Sequence, residues 1–137
     1  MAVALAPTGQ PRTVGNVLIV EDDADVRDML AALLAIEGFH AIGAEDGLEA
    51  LHLLRSMRHR APQTPCLVLL DLKMPRLGGQ EFRRAQLGVP TVASVPIAVM
   101  SGALDVEQRA QALGAVAVVA KPIDVDLLMN VVKRYCA

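Results

Sequence analysis

Four apolar runs of this 137-residue chain end in residues whose side chains could do chemistry together. The runs and the residues that follow them are Val17–Val20 before Glu21, Asp22 and Asp23; Cys66–Leu70 before Asp71; Ile97–Met100 before Ser101; and Val116–Ala120 before Lys121. Any one of these endings is typical of a turn or a helix cap. Together they would supply carboxylates, a hydroxyl and an ammonium group to one site, provided that the runs are neighbouring strands.

The chemistry of such a site follows from its charges. Two carboxylates about 5 Å apart repel by roughly 3 kcal/mol at an effective dielectric constant near 20, so a cluster of acids requires a cation or a proton. Oxygen ligands without His or Cys favour a hard ion such as Mg²⁺. An Asp carboxylate beside this ion can act as a nucleophile toward a phosphoryl donor and become an acyl phosphate. Lys121 could then neutralise a phosphoryl oxygen.

The surrounding sequence predicts the elements that position these residues. The runs are short and rich in β-branched residues, as expected of strands that are buried on both faces, and a weaker run, His40–Ala44, predicts a further strand near an edge. Helical patterns alternate with the strands. The first predicted helix is capped by Asp23 and ended by Gly38, and the second is capped by Asp46 and ended by Arg58-His59-Arg60. The third is Gln80–Gln86, and the fourth is Asp105–Leu113, which is closed by Gly114. The fifth is capped by Asp124 and ended at Tyr135. This alternation predicts an α/β fold with a parallel sheet, in which ligands bind at the carboxyl ends of the strands.

Composition limits the classes of function. The chain is 53% hydrophobic and long enough for one domain with its own core. Its net charge of −2, with no Trp, one Tyr and two Phe, disfavours binding to nucleic acid or to an anionic membrane. Residues 1–15 lack periodicity and predict a mobile tail, and neither a signal peptide nor a membrane span is expected.

The two cysteines predict the compartment. Cys66 lies in an apolar run and Cys136 is the penultimate residue, so we expect a buried thiol and a thiol at a frayed helix end, without a disulfide. This expectation favours a reducing cytoplasm.

The segments VLIVEDD, LLDLKMPRLGG, VMSG and VVAKP resemble, in this order and at this spacing, the four signatures of the response-regulator receiver domain. The resemblance covers residues 16–135 and leads us to assign residues 16–137 to a receiver domain. It implies a flavodoxin-like three-layer sandwich with a doubly wound five-stranded parallel sheet of order 2-1-3-4-5. It also implies Mg²⁺-dependent transfer of a phosphoryl group from a histidine kinase or a histidine phosphotransfer protein.

The resemblance also implies a role for each matching residue. Asp71 corresponds to the phosphoacceptor, whereas Ser101 and Lys121 correspond to the groups that contact the phosphoryl group. The implied Mg²⁺ ligands are Asp22, Asp71, the backbone carbonyl of Lys73 and, through a water molecule, Glu21. Pro122 corresponds to a proline in a cis peptide, and Asp23 is left as a helix cap.

One position departs from the family pattern. Three residues before Lys121 the family commonly has Tyr or Phe, but this chain has Val118. Because valine has one stiff torsion and no ring, it cannot reproduce an aromatic ring rotation. We therefore expect a modest switch, with the signal carried by the loop from Ser101 to Asp105 and by the start of the fourth helix.

These residues are compatible with more than one output. Because the chain stops two residues after Tyr135, we expect a stand-alone, chemotaxis-type receiver that signals by protein contact or acts as a phosphoryl relay or sink. It would assist its own phosphorylation and dephosphorylation without being an enzyme in the usual sense. The alternative is a pseudo-receiver that binds a protein partner constitutively and is never phosphorylated. An aspartyl phosphatase is less consistent with the sequence, because its second acid would stand at Lys73.

Overall fold

Strands and helices alternate strictly along the chain, as the sequence pattern predicts. The computed structural model describes residues 15–57, 64–73 and 78–137. The elements are β1 (Asn16–Val20), α1 (Ala24–Ile36), β2 (His40–Ala44), α2 (Gly47–Met57), β3 (Leu67–Asp71), α3 (Gly79–Leu87), β4 (Ile97–Ser101), α4 (Val106–Leu113), β5 (Ala117–Ala120) and α5 (Val125–Cys136). The predicted tail before Gly15 and the basic cluster Arg58-His59-Arg60 lie outside the described residues. Within those residues, no helix combines the length and the apolar composition that a membrane span requires.

The five strands form one parallel sheet in the order β2-β1-β3-β4-β5, which confirms the predicted order 2-1-3-4-5. The weaker run, His40–Ala44, is an edge strand, as expected. The strand order reverses direction between β1 and β3. In a sheet of this kind, right-handed crossovers place helices on both faces, and the crevice at the reversal point opens at the carboxyl ends of the strands.

The core consists of two apolar clusters, one on each face of the sheet. Successive residues of a strand point to opposite faces, so that Leu18 and Val20 enter one cluster and Val17 and Ile19 enter the other. The first cluster contains buried residues of α2, α3 and α4, and the second contains buried residues of α1 and α5. The strands β1, β3 and β4 are therefore held from both sides, which gives the site at their tips a rigid base.

The predicted helix boundaries are reproduced where local chemistry determines them. The side chains of Asp23 and Asp124 each accept hydrogen bonds from the backbone N–H groups two and three residues later, and Asp46 accepts one from the residue three positions later. Gly38 and Gly114 have φ angles of 90° and 70°, a region that favours glycine. The capping side chains and the glycines that end helices act on neighbouring residues, so the sequence predicts these boundaries well.

The prediction of two free thiols is wrong, because Cys66 and Cys136 form a disulfide. Cys66 directly precedes β3, and Cys136 is the last residue of α5. Since α5 runs back along the sheet after β5, its C-terminal end lies at the amino end of the strands, and the two Cα atoms are 5.4 Å apart. The sequence separation of 70 residues concealed this proximity. The cross-link lies at the end of the sheet opposite to the carboxyl tips.

We predict that Cys136→Ser lowers the free energy of unfolding by about 2–4 kcal/mol under non-reducing conditions, because the cross-link restricts the unfolded chain. Urea titrations of the two proteins measure the difference. Dithiothreitol should bring the wild-type midpoint down to that of the variant and leave the variant unchanged. Equal midpoints without reductant, or two titratable thiols in the denatured, unreduced wild type, would contradict the disulfide.

Candidate functional site

The carboxyl edge of the sheet brings together the side chains that the sequence singled out. Glu21 and Asp22 follow β1, Asp71 ends β3, Ser101 ends β4 and Lys121 follows β5. In the register of the sheet, Asp71 pairs with Met100 and Ser101 pairs with Ala120. The Ser101 hydroxyl is thus one residue further along the strand direction than the Asp71 carboxylate. The four strands that supply these groups are adjacent, so the residues share one edge.

Three of these residues form an acidic cluster. Carboxylate oxygens of Glu21, Asp22 and Asp71 all lie within 4.8 Å of one another. Glu21 is 1% exposed and Asp71 is 3% exposed, whereas Asp22 is open to solvent. Burial makes an ionised carboxylate costly unless a counter-charge or hydrogen-bond donors accompany it. The cluster therefore depends on the cations and donors around it.

Lys121 supplies the counter-charge. Its Nζ lies 2.8 Å from Glu21 Oε1 and 3.4 Å from Asp71 Oδ2. Partial burial lowers the pKa of Lys121, but its hydrogen bond to Glu21 and the charges of Asp71 and Glu21 raise it by more, so this pKa lies above its ordinary value. The ammonium group therefore stays charged at neutral pH. The Lys121–Pro122 peptide is cis, which confirms the prediction for this bond.

Backbone N–H groups of the loops after β3 and β4 orient the Asp71 carboxylate and the Ser101 hydroxyl. The backbone N–H of Lys73 donates to Asp71 Oδ1 at 3.1 Å, and the N–H of Ala103 donates to Ser101 Oγ at 3.0 Å. Ser101 Oγ is an acceptor in this bond, which leaves its own hydrogen available for donation. A cavity of about 460 Å³ opens at this edge and is lined by Asp71, Leu72, Lys73, Ser101, Gly102, Ala103, Arg109 and Lys121. Its size and lining suit a small anionic group placed against Asp71.

The segment that carries the first acid is anchored by contacts that the sequence analysis missed. Arg27 Nη1 donates to the backbone oxygen of Glu21 at 2.7 Å, and the N–H of Asp23 donates to Glu21 Oε2 at 3.2 Å. A Cβ atom on Gly43, in the neighbouring strand, would lie 3.0 Å from Arg27 Cδ. The small residue at position 43 thus leaves room for the arginine. Arg27 follows the predicted cap Asp23 by one helical turn, and this spacing could have identified it in the sequence as a residue near the site.

Arg109 was also missed. It lies on α4, is exposed and lines the cavity in front of Asp71. Its position in the sequence, one helical turn after Asp105, did not single it out, because the approach of α4 to the site is a tertiary contact. Val118, which replaces the common aromatic residue, is half-buried and packs against the cluster that includes α4 residues.

The donor set fits a magnesium ion. All three side chains of the cluster offer carboxylate oxygens, and two of them are buried with one ammonium group between them. Three carboxylates and one lysine leave a formal excess of two negative charges, which a hard divalent cation would neutralise. Lys73 follows Asp71 by two residues, and its side chain is exposed. A metal-binding role for its carbonyl stays a prediction.

Comparisons with known proteins agree with this architecture. The family model of the response regulator receiver domain matches residues 17–133. Sporulation initiation phosphotransferase F of Bacillus subtilis (strain 168) is 34% identical over 120 residues, which span 88% of this chain and 92% of that protein. The structure of Vibrio cholerae chemotaxis protein CheY4 superposes with a TM-score of 0.77 at 26% identity and covers 89% of this chain and 98% of that one.

A second similar structure is the receiver domain of sensor histidine kinase PA1611 from Pseudomonas aeruginosa PAO1, which has a magnesium ion coordinated in its active site cleft. Its TM-score is 0.75, its identity is 24%, and the match covers 88% of this chain and 96% of that one, a similarity that shows the fold alone. Several other curated relatives are longer, and this chain spans between 18% and 55% of their length.

Receiver domains are signalling domains that interact with histidine kinases and phosphotransfer proteins, and they bind Mg²⁺ at an acidic pocket. The acidic cluster of Glu21, Asp22 and Asp71 fits such a pocket in its chemistry. The match to the family model covers most of the chain, and the relative from Bacillus subtilis matches along nearly its whole length. The chain therefore belongs to the response regulator receiver domain family of two-component signal transduction.

Proposed function

We propose that this receiver accepts a phosphoryl group on Asp71 and that its signal depends on this modification. The observation that carries the proposal is the setting of the Asp71 carboxylate. It is buried at the tip of a central strand, lies 3.4 Å from Lys121 Nζ, and faces a cavity of about 460 Å³. A structural aspartate has no need of an open cavity, whereas a nucleophile requires one for its substrate.

The proposed donor is a phosphohistidine of a histidine kinase or a histidine phosphotransfer protein. One carboxylate oxygen of Asp71 contributes the electron pair of the new O–P bond. The P–N bond of the donor breaks, and its electron pair stays on the imidazole nitrogen, which takes up a proton from solvent. Because Lys121 is a charged donor already aimed at Asp71, it neutralises a phosphoryl oxygen during transfer. The free hydroxyl hydrogen of Ser101 donates to a second phosphoryl oxygen.

The proposed magnesium ligands are Asp22, Asp71 and the Lys73 carbonyl, with Glu21 acting through a water molecule. When bound there, Mg²⁺ would neutralise developing charge on the phosphoryl oxygens. Glu21 also accepts a hydrogen bond from Lys121, so it positions the ammonium group for the reaction. The same Lys121 and Ser101 contacts support attack of water on the acyl phosphate, by which the receiver would assist its own dephosphorylation as well as its phosphorylation.

We further propose that residues 16–137 form the receiver domain and that its output is a protein contact or a phosphoryl relay. The relay is supported by the similarity to a protein named as a phosphotransferase. Val118 supports a modest switch, since it has no ring to rotate. The proposed location is the cytoplasm, where thiol pools reduce most disulfides. If the Cys66–Cys136 bond is reduced there, the two apolar clusters would still hold the fold together.

We expect Asp71→Asn to abolish phosphorylation by a small phosphodonor such as acetyl phosphate in the presence of Mg²⁺. The amide is a poor nucleophile and cannot form the acyl phosphate. Intact-protein mass spectrometry measures the gain of one acid-stable, base-labile phosphoryl group. Asp28→Asn, which alters an exposed acid of α1, is the matched control and should be modified like the wild type. Mapping of the phosphoryl group to Ser101 or Glu21 would overturn the assignment, and no modification at all would favour the pseudo-receiver.

We expect Asp22→Ala to weaken Mg²⁺ binding at least tenfold, because it removes a direct ligand of a site with few protein ligands. Isothermal titration calorimetry measures the affinity. The neighbouring Asp23→Ala is the control, since the Asp23 side chain caps α1 and its bond to Glu21 uses the backbone N–H. That variant should lose about 1 kcal/mol of stability and keep its metal affinity. Equal losses of affinity would mean that the two adjacent acids have been assigned wrongly.

A further inference from the structure

We propose that Arg109 contacts the phosphoryl group on Asp71 and thereby couples phosphorylation to α4. This inference rests on the proposed function, and it adds a residue to the site for which the family resemblance implies no role. Arg109 lines the phosphoacceptor cavity and also a neighbouring cavity of about 290 Å³ at the α3–α4 groove, where Gly79, Glu81 and Leu113 are among the lining residues. Besides Arg109, the two cavities share Leu72. The arginine therefore stands between the site and the α3–α4 groove.

The charges at the site favour this contact. Transfer replaces a carboxylate of charge −1 by an acyl phosphate, which carries about one further negative charge. Lys121 is already bound to Glu21 and Asp71, so it is shared between acids before transfer. In the described part of the chain, the Arg109 guanidinium has no ion-pair partner, and Glu81 across the neighbouring cavity is not paired with it. The added charge thus appears beside a cation that is free to move to it.

The chemistry of the side chain suits the ligand. A guanidinium presents a planar fork of donors that binds two phosphoryl oxygens at once, and such charge-assisted bonds are about twice as strong as neutral ones. Lys73 is a second exposed cation at the cavity. It follows Asp71 by two residues, however, and lies outside the helices. Arg109 is attached to α4, so a contact made only after phosphorylation would act on that helix.

The two ends of α4 are held differently, so that its N-terminal turn can shift while its C-terminal end stays in place. Its C-terminal end is tied to α3, because Arg83 Nε donates to the backbone oxygen of Leu113 at 2.9 Å. Its N-terminal end is less restrained, since Asp105 makes no side-chain cap hydrogen bond. A pull on Arg109 would therefore shift the first turns of α4 and the preceding loop about the fixed C-terminal end. This route does not require the aromatic ring that Val118 replaces.

The size of the effect depends on the difference between the two states. A contact shifts a conformational equilibrium only if it is stronger in one state than in the other. The bond between Arg109 and a phosphoryl oxygen exists only after transfer, so it meets this condition in full.

Beryllofluoride, which mimics a phosphoryl group on a carboxylate, tests the proposal with the full chain and Mg²⁺. We expect Arg109→Gln to weaken beryllofluoride binding about tenfold, because it removes the charge and the fork of donors. We expect Arg109→Lys to weaken it by roughly threefold, because lysine keeps the charge but not the fork. Arg55→Gln, an exposed arginine of α2 that lines neither cavity, is the charge-matched control and should bind like the wild type.

NMR gives a direct signature in the wild-type protein. The Nε–H resonance of Arg109, identified by its loss in Arg109→Lys, should shift on beryllofluoride binding, together with the amides at the start of α4. This readout stands even if Arg109→Gln is too unstable to measure. An unmoved Nε–H resonance, or Arg109→Gln binding equal to the control, would overturn the inference while phosphorylation of Asp71 still upheld the proposed function. A wild-type protein that is not modified on Asp71 would overturn both.

Discussion

Two buried carboxylates, Glu21 and Asp71, share the ammonium group of Lys121, and the site depends on this shared charge. At about 5 Å, two carboxylates repel by roughly 3 kcal/mol when the effective dielectric constant is near 20. The fold opposes this repulsion by placing the lysine at the tip of β5, two strands away from Asp71. A rigid sheet is needed for this purpose, because a flexible scaffold would separate the acids. The two apolar clusters on the faces of the sheet provide that rigidity.

The same arrangement leaves the site incomplete in charge. One ammonium group cannot neutralise three carboxylates, and Asp22 is open to solvent. The remaining negative charge fits a divalent cation. Arg109, which has no ion-pair partner among the residues that the structure describes, fits an anionic group that binds later. The site therefore contains an acidic half at β1 and β3 and a basic half at β5 and α4. A phosphoryl group at Asp71 would lie between these halves, which is the physical basis of the proposed function and of the further inference.

The carboxyl and amino ends of the sheet carry different features. The carboxyl end carries the polar side chains and the loops that orient them, whereas the amino end carries the Cys66–Cys136 disulfide. The cross-link joins the residue before β3 to the last residue of α5, so it restrains the helix that follows Lys121 and Pro122 along the chain. Because it lies at the far end of the sheet, it contributes to stability without contact with the acidic cluster.

Features that depend on short-range order could be predicted from the residues alone. Apolar runs followed by polar residues predicted the strands and their tips, and Asp23, Asp46 and Asp124 predicted helix starts, because a cap bonds only to its own first turn. The grouping of the acids with Lys121 also followed, since parallel strands end at one edge. Contacts between distant elements could not be predicted in this way, because they depend on how the helices pack against the sheet. The return of α5 along the sheet joins two cysteines that are 70 residues apart in sequence. The positions of α1 and α4 bring Arg27 and Arg109 to the site. Periodicity predicts which face of a helix is apolar, but it does not predict which exposed cation the packed helix places beside an acid.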